Sequence, residues 1–597
     1  MIKNLRDFLN ILRQEGDLVE INAEVDPYLE AAEIHRRVIA ANGPALLFTN
    51  IKGSSFPLAT NLFGTKKRID LAFGPNPGKF IQRIAQLPEE LMPPSLGKLW
   101  HQRDLLGNLL KVGLSNKSNG PVLECTDTPP LLTRLPLLTT WPEDGGPFVT
   151  LPLVLTKHPS KNSTNLGMYR VQRYDDNTTG LHMQIGKGGG FHLAAYKKLN
   201  KRMPVNISIG GPPALILAAI APLPEDVPEL LFASLTLGGK VPVISDPINQ
   251  LPTPAEAEFT LVGEVDPNES HPEGPFGDHY GYYSLKHDYP LFKCKALLHR
   301  KDAICTATVV GKPRQEDFYL GDYLQELLLP LVKLVMPAVK DLWSYGETGY
   351  HSLAAARVEE RYKREAMASA FRILGEGQLS LTKFLLVVDS HIDLKDFKSV
   401  LTYILERADF RTDLYVFSNL SMDTLDYTGP KVNEGSKGVL VGIGEPIRQL
   451  STIIPSALPR GIKNAKIYCP GCLVIDGPTY DSDPKFAEAI VNHSSLKGLP
   501  LIILVDNAEK ATRSSVNFLW TTFTRFEPAN DIYAKHTDIV RHHLSYSEPI
   551  LIDARMKPWY PGELFCDPKT KSLVTDKWSK YFPAGLEMGD SDLAHLD

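Results

Sequence analysis

FTLVGEVDPNESHPEGPFGDHYGYYSLKHDYPLFKCKALLHR runs from Phe259 to Arg300. Its two ends, FTLVGEV and FKCKALLHR, are apolar runs bounded by turn-forming residues and read as strands. The stretch between them, HPEGPFGDHYGYYS (His271–Ser284), holds two acids, Glu273 and Asp278, five residues apart. In an ideal helix that spacing sets them about 140° apart. In a strand an odd spacing puts them on opposite faces. Pro275 and the glycines at 274 and 277 argue against both elements and for a shaped loop that turns both carboxylates toward one pocket.

Working outward, residues 115–317 keep this strand-rich character. FVTLPLVLT, VNISIGG and AICTATVVG repeat it, and one amphipathic helix, roughly Val227 to Leu237, interrupts it. That pattern predicts a β-barrel or sandwich of about 200 residues. Residues 1–114 alternate helix and strand: LEAAEIHRRVIAAN is a helix stopped by Asn42-Gly43-Pro44, and ALLF follows as a strand. Pro88, Pro93 and Pro94, then Pro129 and Pro130, mark the transition. A connecting helix is expected over 318–345, from DYLQELLLPLVKLVM. Residues 346–560 read as α/β with a parallel sheet, from strands such as TKFLLVVDSHID and helices such as DFKSVLTYILERAD. The last stretch, 561–597, carries KWSKYF as a docking tail. The fold class is therefore multidomain α+β and α/β.

The chain has 597 residues, 43% hydrophobic and 22% charged, with net charge -5. Length alone suggests about three to four domains. The mixed charge gives nucleic-acid binding no support. MIKNLRDFLNILRQEGDL is not a secretory signal: Leu5, Phe8, Leu9 and Leu12 follow helical spacing and charges break every apolar run. No run is long enough to span a membrane. Six cysteines in so long a chain make no disulfide framework, which suits a reducing cytoplasm. Cys469 and Cys472 form a CPGC pair. Without a second pair nearby it reads as a turn after AKIY rather than a redox dithiol or half a zinc site.

Two further segments carry candidate chemistry. TNLGMYRVQRYDDNTTGLHMQIGKGGGFH (Thr164–His192) combines Asn165, Arg170, glycines over 186–190 and His192. The glycine run lacks the Lys-Ser/Thr ending of a P-loop, and glycines at a barrel corner would look the same. In PLPEDVPELLFASL, Glu229 begins a helix, where simple charge compensation is the plain alternative.

Taken together, these pieces resemble the UbiD family of reversible decarboxylases that use prenylated FMN. The matching stretches are WPEDGGPFVTLP, TNLGMYRVQ, APLPEDVPELLFASL, EGPFGDHYGYYS, VVGKPRQED, TKFLLVVDSHIDLKDFKSVL and FLWTTFTRFEPANDI with the downstream LIDARMKP, in family order over nearly the whole chain. The resemblance implies a split, flavin-reductase-like barrel for the central domain. Asn165, His192 and Glu229 match the family's ligands to Mn²⁺, with Mg²⁺ as the alternative ion and K⁺ as an additional one. Amide oxygen, imidazole and carboxylate suit such an ion. Met168, Tyr169 and Arg170 fall among the implied cofactor contacts, and Lys398 matches a lysine that reaches the flavin phosphate.

Arg170, Glu273 and Asp278 match the family's Glu-Arg-acid triad. Decarboxylation leaves an electron pair on carbon that needs a proton, so the donor acid must be protonated. The expectation is that burial and the neighbouring carboxylate raise one acid by about 2–3 pKa units. Asp278 is the favoured donor, with Glu273 the other candidate. Two stretches depart from many relatives: Ser390-His391, and Ala219-Ile220-Ala221.

The implied substrate is an aromatic acid of quinone biosynthesis. It is 1,4-dihydroxy-6-naphthoate or its prenylated form (menaquinone), or else polyprenyl-4-hydroxybenzoate (ubiquinone). A flavin prenyltransferase would supply the cofactor. The chain is expected in the cytoplasm, peripheral to the membrane if its substrate is prenylated, and as a dimer or hexamer built by its C-terminal domain. The rival is a flavin-binding or assembly protein without turnover, which an intact triad disfavours.

Overall fold

The computed structural model describes residues 2–92, 112–184, 186–223, 227–312, 314–496 and 498–592. Pro93 and Pro94 lie outside them. The chain forms two compact units, residues 1–327 with 563–593, and residues 328–562 with 594–597.

In the first unit, helix Leu5–Gln14 is capped by Asn4, whose Oδ1 accepts from Asp7 N at 2.9 Å. Its face Leu5, Phe8, Leu9 and Leu12 is buried, as the spacing predicts. Helix Glu30–Ala40 ends just before Asn42, which takes a left-handed φ of 52°. This helix is buried even at Glu30, Glu33, Arg36 and Arg37. The cause is the C-terminal helix Pro568–Tyr581, which lies against it. Arg37 Nη2 donates to Lys571 O at 2.8 Å, and Ser591 Oγ donates to Glu33 Oε1 at 2.7 Å. Strands Leu18–Ile21, Ala45–Phe48, Leu58–Thr60 and Cys305–Thr306 complete a small mixed sheet.

The centre of this unit is a nine-stranded sheet. Eight strands run in the order Phe148–Val149, Val171–Arg173, Thr178–Leu181, His287–His299, Phe259–Glu273, Met203–Ile209, Pro152–Lys157 and Thr164–Gly167, all antiparallel. Cys125–Asp127 pairs with His287–His299 as the ninth. Val205, Ile207, Phe259, Leu261, Phe292 and Leu297 belong to the main apolar core of the unit. Helices Gly188–Leu199, Pro213–Ile220 and Glu229–Leu237 pack on the Thr164–Gly167 edge. The Ala219-Ile220-Ala221 stretch is the end of the second of these helices.

The structure corrects the reading of the two-acid loop. Strand Phe259–Glu273 does not stop at Val265. A register shift between Val265 and Ser270 absorbs Pro267, and pairing resumes from Ser270↔Pro290 to Glu273↔His287. Glu273 is thus the last residue of a strand. Asp278 follows the two-residue strand Phe276–Gly277, which pairs with Tyr283–Ser284.

The second unit contains two mixed five-stranded sheets where one parallel sheet was expected. In the first, Leu353–Val358, Phe384–Val388 and Glu434–Gly442 are parallel, edged by antiparallel Val339–Ser344 and Leu414–Ser421. In the second, Cys472–Asp476, Leu501–Val505 and Ile550–Asp553 are parallel, edged by antiparallel Asn464–Cys469 and Ile532–Ala534. FLLVV, CLVID and LIILV are buried throughout, as expected for strands covered on both faces. The CPGC pair closes a hairpin: Cys469 and Cys472 face each other across a Pro470-Gly471 turn. Among the described residues, no helix is long and apolar enough to cross a membrane.

Candidate active site

Arg170 lies between strands Thr164–Gly167 and Val171–Arg173 and reaches both acids of the quoted stretch. Its Nε donates to Glu273 Oε1 at 2.7 Å and its Nη2 to Glu273 Oε2 at 2.9 Å. Nη1 donates to Asp278 Oδ2, and Nη2 also reaches Ser284 Oγ at 2.9 Å. The guanidinium stacks over Phe276, 4.7 Å from the ring centre. Glu273 is wholly buried, so its charge depends on this fork.

The loop is held from below. Asp144 Oδ1 accepts from Gly277 N at 2.8 Å, while its Oδ2 accepts from Thr140 N and Trp141 N. A Cβ on Gly277 would lie 2.0 Å from Trp141 Cδ1, so only glycine lets the strand sit on that ring. Gln172 Oε1 accepts from Gly274 N at 2.8 Å, and Gly274 takes a φ of 93°. These contacts fix the backbone on both sides of Pro275.

The electrostatics overturn one expectation. Burial pushes the Glu273 carboxyl up, but Arg170 and His182 outweigh it and hold it at about 2. Burial also pushes Asp278 up, but His279 and Arg170 hold it far below the ordinary carboxylate range. Neither acid of the triad is raised in this state, because His279 with Arg170 holds Asp278 down and Arg170 with His182 holds Glu273 down. His279 adds its backbone N–H to Asp278 Oδ1 at 2.7 Å and its ring Nδ1 at 2.6 Å. His182 Nδ1 lies 3.3 Å from Glu273 Oε2, and burial with Arg170 lowers its affinity for a proton. The sequence alone does not pick out His182, His279, Ser284 or Asp144. A histidine directly following Asp278 is the one visible signal.

A second cluster forms at the Thr164–Gly167 edge. Glu229, the first residue of its helix, accepts from Asn165 Nδ2 and from Leu166 N, both at 2.8 Å. It therefore ties the helix to the strand rather than only compensating a helix end. Tyr169 donates its hydroxyl to Asn165 Oδ1 at 3.0 Å and accepts from Gly189 N at 3.0 Å. Burial pushes that phenol up to about 12. His192 joins through Thr156, the cross-strand partner of Asn165, whose Oγ1 lies 2.8 Å from His192 Nδ1. The glycine run is no barrel corner: Gly188 begins helix Gly188–Leu199. A Cβ there would lie 2.5 Å from Asn165 Nδ2, and one at Gly189 2.9 Å from the Tyr169 ring. Met168, which precedes Tyr169 in the chain, is half-buried.

These residues fit a divalent ion with a phosphate. Asn165, His192 and Glu229 are brought together, and Thr156 holds one imidazole nitrogen as an orienting partner would. Burial raises the Glu229 carboxyl, against the hydrogen bonds from Leu166 and Asn165 that lower it. The N-terminus of a 12-residue helix, opened by glycines, is a ready phosphate site. Among the described residues no cluster of three His, Cys, Asp or Glu could hold a metal; the set here has two of those types and an amide.

Lys398 belongs to the second unit. It sits in the first turn of helix Phe397–Arg407, with Nζ 5.1 Å from the Tyr468 ring centre. His391, in the divergent Ser390-His391 pair, contacts Arg357 through Nδ1.

Three domain profiles of 3-octaprenyl-4-hydroxybenzoate carboxy-lyase (UbiD) match the chain: the N-terminal domain over residues 9–87, the Rift-related domain over 114–313 and the C-terminal domain over 318–442. A protein of Chlamydia pneumoniae, named as one component of a 4-hydroxybenzoate decarboxylase, is 50% identical over 581 residues, covering 97% of this chain and 98% of its own. An uncharacterized protein of Archaeoglobus fulgidus is 34% identical over 433 residues, 71% of this chain and 88% of its own. Among solved structures, vanillic acid decarboxylase of Sedimentibacter hydroxybenzoicus in closed form aligns with a TM-score of 0.66 at 24% identity, covering 77% of this chain and 96% of that one. HmfF of Pelotomaculum thermopropionicum, a UbiD-class enzyme in complex with FMN, aligns with a TM-score of 0.60 at 23% identity, covering 74% and 94%. At these identities the structural likeness is one of fold.

Proposed function

The chain belongs to the UbiD family of carboxy-lyases, and from that premise we propose that it removes CO2 from a hydroxylated aromatic acid, using prenylated FMN and Mn²⁺ (or Mg²⁺). The observation that carries this reading is the single arginine clamping two buried acids, Glu273 and Asp278, with the Asn165–Tyr169–Glu229 cluster at the Thr164–Gly167 edge of the same sheet. Asn165, His192 and Glu229 would hold the metal. Tyr169 and Met168 would line the flavin site, and the N–H groups opening helix Gly188–Leu199 would meet its phosphate. Lys398 is assigned to the phosphate, and K⁺ as an added ion, on the resemblance alone.

When bound, prenylated FMN would supply the electron sink for the bond that breaks. The chain's own residues do the rest. Arg170 keeps Glu273 ionised and fixes Asp278, and Phe276 shields the guanidinium from water. Asp144 and Trp141 hold the loop that presents Asp278. Asp278 returns a proton to the carbon that lost CO2. Because Arg170 and His279 keep it ionised at rest, that proton must reach it from elsewhere.

Two ring systems remain in view. The naphthoate reading, 1,4-dihydroxy-6-naphthoate or its prenylated form, rests on resemblance to the quinone branch of the family. The benzoate reading, 4-hydroxybenzoate or its polyprenyl form, is favoured by the name of the Chlamydia relative. A prenylated substrate would bring the protein to a membrane surface. The same reading divides the chain at 114, 317, 345 and 560 and makes the C-terminal part the oligomerising one. The test is protein co-produced with a flavin prenyltransferase, supplied with Mn²⁺ and given each acid in turn, with mass spectrometry following loss of CO2.

A further inference from the structure

The loop that carries Asp278 meets a second piece of chain from far along the sequence. The loop tip closes on itself: Asp278 N donates to Tyr282 O at 3.1 Å, and Gly281 N donates to Asp278 O at 2.9 Å. Gly281 takes a φ of 84°, a permissive position that needs holding from outside. Residues 563–566 run against this tip. Glu563 forms an antiparallel bridge with Tyr282, and Leu564 N donates to Gly281 O at 3.1 Å. The Leu564 side chain is wholly buried and packs with Trp141, Tyr283 and Cys566. Trp141 is the ring on which Gly277 sits, so Leu564 belongs to the same support. The Glu563 carboxylate pairs with Lys312 Nζ, and both side chains are largely buried. Lys312 comes from the VVGKPRQED stretch, so the pair ties that motif to the chain end.

The segment is anchored in its turn. Helix Pro568–Tyr581, which follows it, lies against helix Glu30–Ala40. Arg36 of that helix stacks over Trp141, 4.2 Å from the ring centre, and its Nη1 donates to Thr140 O at 2.9 Å. Thr140 and Trp141 are the residues whose N–H groups meet Asp144, and Asp144 accepts from Gly277 N. The Asp278 loop is therefore gripped at two places, by Asp144 at Gly277 and by residues 563–564 at Gly281 and Tyr282. A group that transfers a proton loses rate steeply when it is displaced by even about 1 Å. We propose that Leu564 and the Lys312–Glu563 pair are positioning residues for Asp278. They act through the loop backbone: with the tip fixed, the Asp278 carboxylate stays on Arg170 and is held where it returns its proton.

This inference rests on the decarboxylase reading above, so the test has an arm that needs no substrate. Hydrogen exchange of the full chain, read by mass spectrometry, follows the loop directly. In Glu563→Gln and in Leu564→Ala, peptides covering residues 276–284 should exchange at least about 10-fold faster than in the wild type, while strand Phe384–Val388 of the other unit stays protected. The charge-swapped chain, Lys312→Glu with Glu563→Lys, should regain part of the loop's protection, which separates loss of the pair from failure to fold. Unchanged exchange over 276–284 in both single variants overturns the proposal, whatever the enzyme decarboxylates. On protein loaded with prenylated FMN and Mn²⁺, the single variants should lower kcat about 10–100-fold and leave KM within about twofold, because the loop serves proton return rather than substrate binding. Glu563→Asp should recover part of the kcat loss. Wild-type kcat in both variants, or a raised KM at unchanged kcat, overturns it. Absence of CO2 release by the wild type from every acid tried would instead sink the decarboxylase reading, and the exchange arm would still decide whether residues 563–564 hold the loop.

Discussion

Arg170 grips Glu273 at two points, Nε to Oε1 at 2.7 Å and Nη2 to Oε2 at 2.9 Å, while its remaining nitrogen holds Asp278. Fork geometry of this kind fixes an acid in orientation as well as charge. Replacing Arg170 by Met leaves the two buried carboxylates with only His182 and His279 beside them. The expected cost is about 3–5 kcal/mol of folding stability. Urea denaturation of the cofactor-free protein measures it, and a loss below about 1 kcal/mol would mean the clamp is not the support of this loop.

The same clamp sets a pH dependence. Glu273 has its carboxyl lowered from 4.5 to about 2. A lowered acid stabilises the fold fully above its unfolded pKa, and that contribution fades as pH falls through the folded value. Stability owed to Glu273 is therefore expected to be constant above about pH 5 and to disappear between about pH 4.5 and about pH 2. Glu273→Gln should flatten that part of a stability-against-pH curve. An unchanged slope in the variant would contradict the assignment.

Thr156 gives a test of the metal cluster without touching a ligand. Its Oγ1 meets His192 Nδ1 at 2.8 Å. Thr156→Val keeps the shape and removes the partner, so Mn²⁺ affinity should fall about 10–100-fold. Titration followed by electron paramagnetic resonance reads this directly. Unaltered affinity would remove His192 from the set.

Gly188 tests the close approach of the helix start to Asn165. A Cβ there would lie 2.5 Å from Asn165 Nδ2. Gly188→Ala should displace the amide, weaken FMN binding and cost about 1–3 kcal/mol. Fluorescence titration with FMN and a melting curve measure the two effects. Binding as tight as wild type would show that Asn165 can move without consequence.

Much of the architecture is legible in the sequence because it is local. Leu5, Phe8, Leu9 and Leu12 declare their helix by period, and FLLVV and LIILV declare buried strands by continuity. Asn42-Gly43-Pro44 declares a stop. What escapes is long-range. Asp144 reaches Gly277 across 133 positions, and nothing in WPEDGG says which N–H it will accept. The charged face of Glu30–Ala40 gives no sign that the chain end will cover it. Glu273 reads as a loop residue because Pro267 and Pro272 hide the resumed pairing beyond the register shift. The raised acid expected within the triad fails for the same reason: one arginine for two acids, with His279 added, is a fact of three dimensions.

Asp278→Asn separates structure from chemistry at the site. Asn keeps the volume and can still accept from His279, so cofactor and Mn²⁺ should bind as in the wild type. Turnover should fall at least about 10²-fold. Loss of cofactor along with activity would make Asp278 a structural residue, and full activity would move proton return to Glu273.

The most direct measurement is release of CO2 by the intact chain, loaded with prenylated FMN and Mn²⁺, compared with its Asp278→Asn variant. The acids to offer are 1,4-dihydroxy-6-naphthoate, 4-hydroxybenzoate and the prenylated form of each. Stoichiometric CO2 and decarboxylated product from at least one of them, absent in the variant, is the expected result. No release from any acid, with cofactor shown to be bound, would contradict the decarboxylase reading of the Arg170–Glu273–Asp278 site.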